Sequence, residues 1–467
     1  MLFNSIEFLV FFPLVLFLFY LIPHKFRWAL LLIASYFFYG SWKIEFLSLL
    51  VISTVSDFFI AKNIHKSSNK KNKRLLLATS LFINLGILFF FKYSSFLVNE
   101  ALDFSSFSNH KKEVIQSWFL FDLPVGISFY TFQTIGYTID VYLKKTRPEK
   151  NIGKFALYVS YFPQLVAGPI ERYNHLGPQL FKKVRFNYSN FKSGLRLMLY
   201  GFFVKMVIAD NLAPLVDSVF NSPTDYSSQG ILAGILGFGW QIYADFYGYS
   251  LIAIGGAKCM GVNLMDNFKT PYFSKSISEF WRRWHISLST WFRDYLYLPL
   301  GGNKVSSALW VRNILAVFLL SGIWHGANWT FLIWGAIHAL MYLAERYFPI
   351  KWKRKNILEK IGGLIITYLV VNLAWTFFRA SSFENATQLL TLIAELNITG
   401  QQLEFQNTLL SFIVVFLVIE IASRSTRIDN WLNKLTFPFR WIIYGILLFG
   451  ILGFAGTTNH PFIYFQF

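Results

Sequence analysis

The sequence predicts an all-α polytopic membrane protein, and three of its properties support that prediction. Of its 467 residues, 55% are hydrophobic and only 14% are charged, which exceeds what the core of a soluble domain requires. Apolar runs of about 17–25 residues, long enough to cross a bilayer as helices, recur along nearly the whole chain. The cations alternate with cation-poor loops, as membrane orientation requires. We therefore attribute the net charge of +19 to membrane orientation, expect lipid contact without nucleic acid, and predict one integral-membrane domain over residues 1–467.

The first half of the chain is predicted to begin outside the cytoplasm. Residues 1–7 carry no Lys or Arg, and the apolar run after them lacks the cationic start and cleavage site of a signal peptide. Residues 62–74 form the clearest basic loop and are expected in the cytoplasm. The longest loop is expected at residues 94–122. The predicted crossings end near residues 22 and 42 and then cover residues 46–61, 75–91 and 124–143.

Residues 155–170 are predicted to dip into the membrane and to return on the same side. Basic loops flank this apolar run at both ends, and a single crossing could not leave both of them in the cytoplasm. Pro163, Gly168 and Pro169 would also interrupt a helix. A broken backbone is tolerated where protein or a water-filled cavity satisfies its polar groups. The segment is therefore predicted to be re-entrant.

The second half is predicted to add further crossings and to end outside. Residues 210–225 contain aspartates and no cation, so they are expected to form an external loop, whereas the basic residues at 346–355 are expected in the cytoplasm. Counting gives about 12 crossings with both termini outside. The predicted crossings in this half are residues 195–209, 230–257, 313–325, 329–345, 361–377, 409–421 and 441–454.

Residues 278–300 mix aromatic, basic and hydroxyl side chains more densely than any other stretch. At the helical spacing of about 100° per residue, the Trp and Leu side chains share one face, while Arg282, His285 and Arg293 lie towards the other. Arg282, Arg283 and Arg293 together would be unfavourable in the hydrocarbon core. The stretch is therefore predicted to be one amphipathic helix in the membrane interface, with His285 near the boundary of its faces and able to face a protected pocket.

Three of the eight histidines are candidates for chemistry, because the other five lie in loops or at the ends of crossings. They are His285, His325 and His338. An ionisable group inside an apolar bundle is by default a functional-site hypothesis. His325, in SGIWHGANWT, can be catalytic, or it can be a structural histidine that bonds a backbone carbonyl at a helix end. His338 is expected to be structural.

Other polar groups in the apolar runs have two interpretations. Gln241 and Asp245 share a helical face, and Asp140 lies in another run; bonding between helices explains them at least as well as catalysis. The three arginines of residues 278–300 can snorkel to an ordinary cytoplasmic interface. They can also bind the phosphates of an anionic donor, and the two roles are compatible.

The motifs of soluble nucleotide-binding and hydrolytic enzymes are missing from the sequence. It contains no P-loop, GxSxG elbow, HExxH or Rossmann fingerprint, and its single cysteine, Cys259, excludes an intrachain disulfide. Acyl transfer to a hydroxyl fits the histidines, because an imidazole can take the hydroxyl proton as the oxygen attacks a thioester carbonyl. No metal is needed. Trp324, Trp329 and Trp334 are expected to bury His325 and keep it neutral.

Seven motifs spread over nearly the whole chain are specific when taken together. They are LPVGISFYTFQTIGYTIDVY (123–142), FPQLVAGPIERY (162–173), QIYADFYGYSLIAIG (241–255), EFWRRWHISLSTWFRDYLYLPLGGN (279–303), SGIWHGANWTFLIWGAIH (321–338), AWTFFRA (374–380) and FIYFQF (462–467). With these motifs the sequence resembles the membrane-bound O-acyltransferases, and within them the bacterial alginate O-acetyltransferase branch. It departs from the branch at Tyr247 and Leu251, where Ser and Asp are usual.

The resemblance implies a fold, a site and an activity. The fold would be a ring of helices around a thin centre pierced by a tunnel. The invariant histidine of the family matches His325, and its second histidine matches His285. An acetyl group from acetyl-CoA, with no permanent cofactor, would cross the bacterial cytoplasmic membrane. It would reach an extracytoplasmic SGNH-type acetyltransferase that modifies alginate, another exopolysaccharide or peptidoglycan. D-alanyl transfer to teichoic acid from a carrier protein and a non-enzymatic transporter remain as alternatives.

Overall fold

The computed structural model describes residues 1–103, 105, 107–166, 168–347, 357–455 and 461–465. Its regular elements in these ranges are all helices. In chain order they are α1 Ile6–Leu21, α2 His24–Gly40, α3 Glu45–Lys66, α4 Lys70–Lys92, α5 Ser94–Asp103, α6 Asn109–Ser117, α7 Ile127–Tyr142, α8 Ile152–Ser160, α9 Phe162–Leu165, α10 Tyr173–Phe181, α11 Tyr188–Phe202, α12 Asp210–Asn221, α13 Ser228–Cys259, α14 Ile277–Trp281, α15 Ile286–Phe292, α16 Ser307–His325, α17 Trp329–Tyr347, α18 Ile357–Arg379, α19 Phe383–Ala394, α20 Asn407–Ser423, α21 Ile428–Lys434 and α22 Phe437–Phe454.

Several of these helices are long and apolar enough to cross a membrane. Six qualify by length and composition, and the count rises to seven if α20 and α21, bent by 82°, form one broken span. The predicted class, an all-α polytopic membrane protein, is confirmed. The ring of about 12 crossings around a tunnel stays a prediction. The spans are α3, α4, α11 with α12, α16, α18 and α22.

The chain packs as two compact units, and the first comprises Met1–Phe191 with Gly256–Leu264. In this unit α3, α4 and α7 meet around a buried carboxylate. Asp57 accepts the hydroxyl of Ser80 at 2.5 Å and the side-chain amide of Asn84 at 2.9 Å. The hydroxyl of Thr134 donates to Asn84 at 3.1 Å. Because a buried polar group must be hydrogen-bonded, this network fixes the three helices against one another.

Two predictions about the first unit can be compared with its helices. The stretch predicted as the longest loop between crossings, residues 94–122, contains the short helices α5 and α6, neither of which is among the helices long and apolar enough to cross a membrane. The stretch predicted as re-entrant is interrupted, because α8 ends at Ser160 and α9 has four residues. Neither helix is long enough to cross a bilayer. Ala167, in the same stretch, lies outside the described residues.

The second unit comprises Lys192–Gly255 and Met265–Gln466, and two glycines bring its first long helices together. A Cβ at Gly201 would lie 2.7 Å from the carbonyl oxygen of Gly248, and a Cβ at Gly248 would lie 2.8 Å from that of Gly201. Only glycine allows this approach of α11 to α13, the small-residue packing common between membrane helices. After Gly201 the helix widens into a π turn at Phe203–Ala209. The π turn changes the direction in which the side chains after it project from the helix.

Two further predictions concern the second unit. Residues 278–300 do not form one helix: α14 ends at Trp281, α15 begins at Ile286 and a π turn follows at Arg293–Tyr297. Residues 210–225 are not an open loop, because α12 occupies most of them. Charge alone predicted the loop, whereas Asp210 is buried and Asp217 pairs with Arg379 at 2.5 Å. The basic residues 351–355 lie outside the described residues.

Candidate active site

His285 lies in a sharp break between α14 and α15. Its backbone is in the left-handed region, with φ 41° and ψ 54°, which residues other than glycine seldom adopt. Asn267, itself buried, holds the break in place. Its carbonyl oxygen accepts the N–H of Ile286 at 2.9 Å, and its side-chain Oδ1 accepts the hydroxyl of Ser287 at 2.6 Å. An unfavourable backbone conformation sustained in this way is typical of functional sites.

The break directs the His285 side chain into the interior of the second unit. The residue is 1% exposed, and its ring meets Phe246 edge-on at 4.7 Å between centroids. The rings of Trp324 and Tyr464 lie at 6.1 and 6.4 Å. His285 therefore faces a buried interior, in agreement with the expectation that it can face a protected pocket, although the single amphipathic helix predicted around it is not formed. Burial lowers its pKa to about 3, so the imidazole is neutral at neutral pH.

His325 ends α16 and is buried in an aromatic box. It is 3% exposed, and the ring centroids of Trp324, Trp334 and Phe378 lie 4.9, 5.0 and 5.2 Å from its own. Two of the three predicted tryptophans thus contribute. Trp329 is 55% exposed, because it starts the next helix after the turn. The rings of Trp324, Trp334 and Phe378 therefore enclose the imidazole at the end of α16.

The turn after His325 explains part of the SGIWHGANWT motif. A Cβ at Gly326 would lie 2.0 Å from the ring of Phe331, so only glycine fits where α16 stops. Asn328 then accepts the N–H of Thr330 at 3.0 Å through its side chain, which caps the start of α17. The motif therefore builds the turn that places His325 at the end of its helix.

Tyr464 connects the two histidines, and the sequence did not identify it. Its ring lies 5.4 Å from the ring of His325 and 6.4 Å from that of His285, and it also contacts Phe246 at 4.8 Å. Its hydroxyl is buried and has no hydrogen-bond partner among the described residues. The only signal was the terminal motif FIYFQF, which has no periodicity that distinguishes one ring from another. The structure thus adds a hydroxyl to the predicted pair of histidines.

His338 has a specific neighbour that accounts for its burial. It is 0% exposed, and its Nδ1 accepts the indole N–H of Trp281 at 3.3 Å. Its ring also packs 5.0 Å from Trp334. A histidine that bonds one tryptophan and packs against another is explained by structure alone. The expectation that His338 is structural agrees with this arrangement and stays a prediction.

The three predicted donor-binding arginines differ in their surroundings. Arg282 is exposed, Arg283 pairs with Glu279 at 2.8 Å and Arg293 pairs with Asp294 at 2.8 Å. Arg293 also lines a largely apolar cavity of about 240 Å³. That cavity includes Ser321, which lies one helical turn before His325 on α16. The cavity therefore extends from the exposed Arg293 to α16, the helix that ends at His325.

The remaining polar candidates occupy different places. Gln241 and Asp245 are both buried on α13, and Asp140 is buried on α7 in the first unit. The two departures from the alginate branch, Tyr247 and Leu251, both line a polar cavity of about 460 Å³. Among the described residues, no group of three or more His, Cys, Asp or Glu side chains could hold a metal ion. The chemical groups of this site are therefore imidazoles, aromatic rings and one phenol.

Comparison with known proteins identifies the class to which this helical fold and buried histidine site belong. The model of the membrane-bound O-acyltransferase family matches residues 150–379, a range that contains both His285 and His325. Together with relatives more than 30% identical over most of their length, this shows that the chain belongs to that family. The chain is therefore an O-acyltransferase.

Three relatives show which members of the family the chain is similar to. It is 41% identical to the "Probable alginate O-acetylase AlgI" of Azotobacter vinelandii over 83% of this chain and 76% of that protein. It is 35% identical to the protein of the same name from Pseudomonas putida over the full length of both. It is 37% identical to the "Peptidoglycan O-acetyltransferase" of Helicobacter pylori over 79% of this chain and 73% of that protein.

Proposed function

We propose that this protein transfers acetyl groups from a cytoplasmic thioester, acetyl-CoA, across the bacterial cytoplasmic membrane for O-acetylation of a cell-surface polysaccharide. The observation that carries the proposal is the enclosure of His285 and His325 around the ring of Tyr464. Two of the relatives are named as O-acetylases of alginate, and one as an acetyltransferase of peptidoglycan. Alginate, another exopolysaccharide and peptidoglycan are therefore the acceptor classes to be tested.

In this proposal His325 is the general base. Its neutral imidazole takes the proton of an acceptor hydroxyl while the oxygen bonds to the thioester carbonyl carbon. The tetrahedral intermediate then collapses, the carbon–sulfur bond breaks, and the imidazolium returns its proton to the leaving sulfur. His285 positions the donor or shares the proton transfer. Tyr464 presents a buried hydroxyl beside both rings, so the hydroxyl that reacts first can belong to this chain.

The proposal also assigns the donor side and the partner. Arg282, Arg283 and Arg293 hold the phosphates of the donor at the cytoplasmic face, with Arg293 at the mouth of the cavity that leads to α16. Both termini lie outside. An extracytoplasmic SGNH-type acetyltransferase receives the acetyl group and modifies the polymer. The positive-inside distribution of cations supports this orientation.

Acetyl analysis of surface polymers in a deletion strain tests the proposal. Loss of ester-linked acetate from one polymer, restored by the wild-type gene, is the expected result. Loss of ester-linked D-alanine with normal acetate would contradict it and would indicate teichoic acid alanylation. Normal levels of both esters, with accumulation of an unexported solute, would indicate a transporter.

A further inference from the structure

A buried lysine between two aspartates lies in the second unit, and the proposed chemistry does not use it. Lys205 is 1% exposed, and its Nζ lies 2.7 Å from Asp210 Oδ1 and 2.5 Å from Asp245 Oδ1. Charged groups inside a membrane bundle are unfavourable unless they are paired, and they mark function by default. Well-packed hydrophobic residues could hold these helices together without the desolvation cost of burying charged groups. The charges therefore need a further explanation.

The second carboxylate oxygen of Asp245 suggests what the buried charges do. Asp245 Oδ2 accepts the backbone N–H of Ile463 at 2.6 Å, a charge-assisted hydrogen bond. Asp245 lies in the middle of α13, whereas Ile463 belongs to the short 3-10 turn Ile463–Phe465 near the C-terminus. The carboxylate thus links the ammonium of Lys205 to the backbone of the C-terminal segment. The residue after Ile463 is Tyr464.

Aromatic contacts extend the same attachment along α13. Phe462 packs against Phe246 at 5.3 Å and against Tyr249 at 4.9 Å between ring centroids. The ammonium of Lys205 lies 5.3 Å from the centroid of Tyr249, within the range of a cation–π contact. Phe246 in turn contacts the rings of both His285 and Tyr464. One helix, α13, therefore holds residues 461–465 by a hydrogen bond and by tilted aromatic contacts.

The local fold explains how the lysine reaches its partners. The contact between Gly201 and Gly248 brings α11 close to α13 one helical turn before Lys205. The π turn that contains Lys205 then closes with the N–H of Asp210 bonded to the Lys205 carbonyl oxygen. This widened turn places Lys205 and Asp210 on the same side, facing Asp245. The three charges are therefore arranged by the π turn together with the close approach of α11 to α13.

We infer that Lys205 and Asp245 are positioning residues that clamp residues 461–465 against α13 and so keep Tyr464 between the rings of His285 and His325. An effect of this clamp on activity rests on the proposed function, in which His285, His325 and Tyr464 take part in acetyl transfer. The placement of the segment can be measured without any assay of acetylation. The failure of one claim is therefore distinguishable from the failure of the other.

Cysteine accessibility in purified protein tests the clamp. Ile463→Cys is introduced after Cys259→Ser has removed the only native cysteine, and labelling by N-ethylmaleimide is timed. Ile463 is 3% exposed, so slow labelling is expected in this background. Asp245→Ala should accelerate labelling by about tenfold or more, the scale of one hydrogen bond to a charged group. Asp210→Asn is the matched control and should label slowly, because Asp210 pairs with Lys205, whereas the carboxylate that accepts the N–H of Ile463 is that of Asp245.

Equal labelling rates in Asp245→Ala and Asp210→Asn would overturn the clamp. If Asp245→Ala does not insert, Asp245→Asn replaces it, since the amide keeps an acceptor oxygen and loses the charge. It should label at an intermediate rate, and slow labelling there would overturn the role of the charge. Fast labelling with normal polymer acetylation would confirm the clamp and refute the proposed participation of Tyr464.

Discussion

At the residue scale, the proposed chemistry needs an imidazole in its neutral form. His285 and His325 are both buried and are enclosed by aromatic rings. Burial disfavours the charged imidazolium at His285 and lowers its pKa. The neutral imidazole is the form that can take a proton from a hydroxyl. This behaviour suits acyl transfer.

The hydroxyl of Tyr464 provides the first prediction. Tyr464→Phe keeps the ring contacts and removes only the buried oxygen, so the protein should remain at normal abundance. Acetylation should fall by about 10²-fold or more, the usual size of a lost proton-transfer partner. Ester-linked acetate measured in the complemented deletion strain provides the test. Tyr130→Phe is the matched control, because its hydroxyl in the first unit is also buried without a partner among the described residues, and normal acetate is expected. Equal effects of both variants would refute the role of Tyr464.

A second prediction concerns the arginines, whose expected contribution to donor binding depends on whether each one is paired with a carboxylate. Arg282→Gln should weaken binding of acetyl-CoA several-fold, about 1 kcal/mol, and the loss should be larger at low salt than at high salt. Arg283→Gln should have the smaller effect, because its guanidinium is already paired with Glu279. Titration of purified protein at two ionic strengths measures both. A loss that is equal at the two salt concentrations, together with lower protein yield, would favour a structural role.

At the element scale, the break between α14 and α15 determines where His285 points. Asn267 stabilises it through Ser287 and also donates to Ser250 at 3.1 Å. Asn267→Ala removes these buried hydrogen bonds, which should lower stability by about 1–3 kcal/mol and reduce acetyl transfer. Thermal unfolding in detergent and activity measure the two effects. Asn263→Ala, an exposed position nearby in sequence, should change neither. A fully active Asn267→Ala protein would show that the break does not position His285.

The elements also show what the sequence could and could not predict. Hydropathy predicted the long spans, because a bilayer imposes their length. The histidine motifs singled out His285 and His325, whose catalytic role stays a prediction. Periodicity failed at residues 278–300, since the left-handed backbone of His285 depends on Asn267, which lies outside the periodic stretch. Tyr464 was missed for a related reason. Its position depends on Asp245, far away in sequence, and no local pattern contains that contact.

At the scale of the whole molecule, the charge map predicts an orientation. Ser68 lies between α3 and α4 in the basic loop and is exposed, and Thr224 follows α12 and is also exposed. In a Cys259→Ser background, Thr224→Cys should be labelled in whole cells by an impermeant maleimide. Ser68→Cys should be labelled only after the membrane is opened. The reverse pattern would invert the map and place the proposed donor site outside the cytoplasm.

The most direct test of the central claim, that His325 is the general base of an acetyltransferase, compares two buried histidines in one strain. His325→Ala and His338→Ala are expressed in the deletion strain, and polymer-bound acetate and protein abundance are measured together. Loss of a general base typically reduces the rate by about 10²–10⁴-fold, so His325→Ala should abolish acetylation at normal abundance. His338→Ala should acetylate near normally, since the hydrogen bond from Trp281 and the packing against Trp334 give His338 a structural role. A stable His325→Ala protein that acetylates normally would contradict the account.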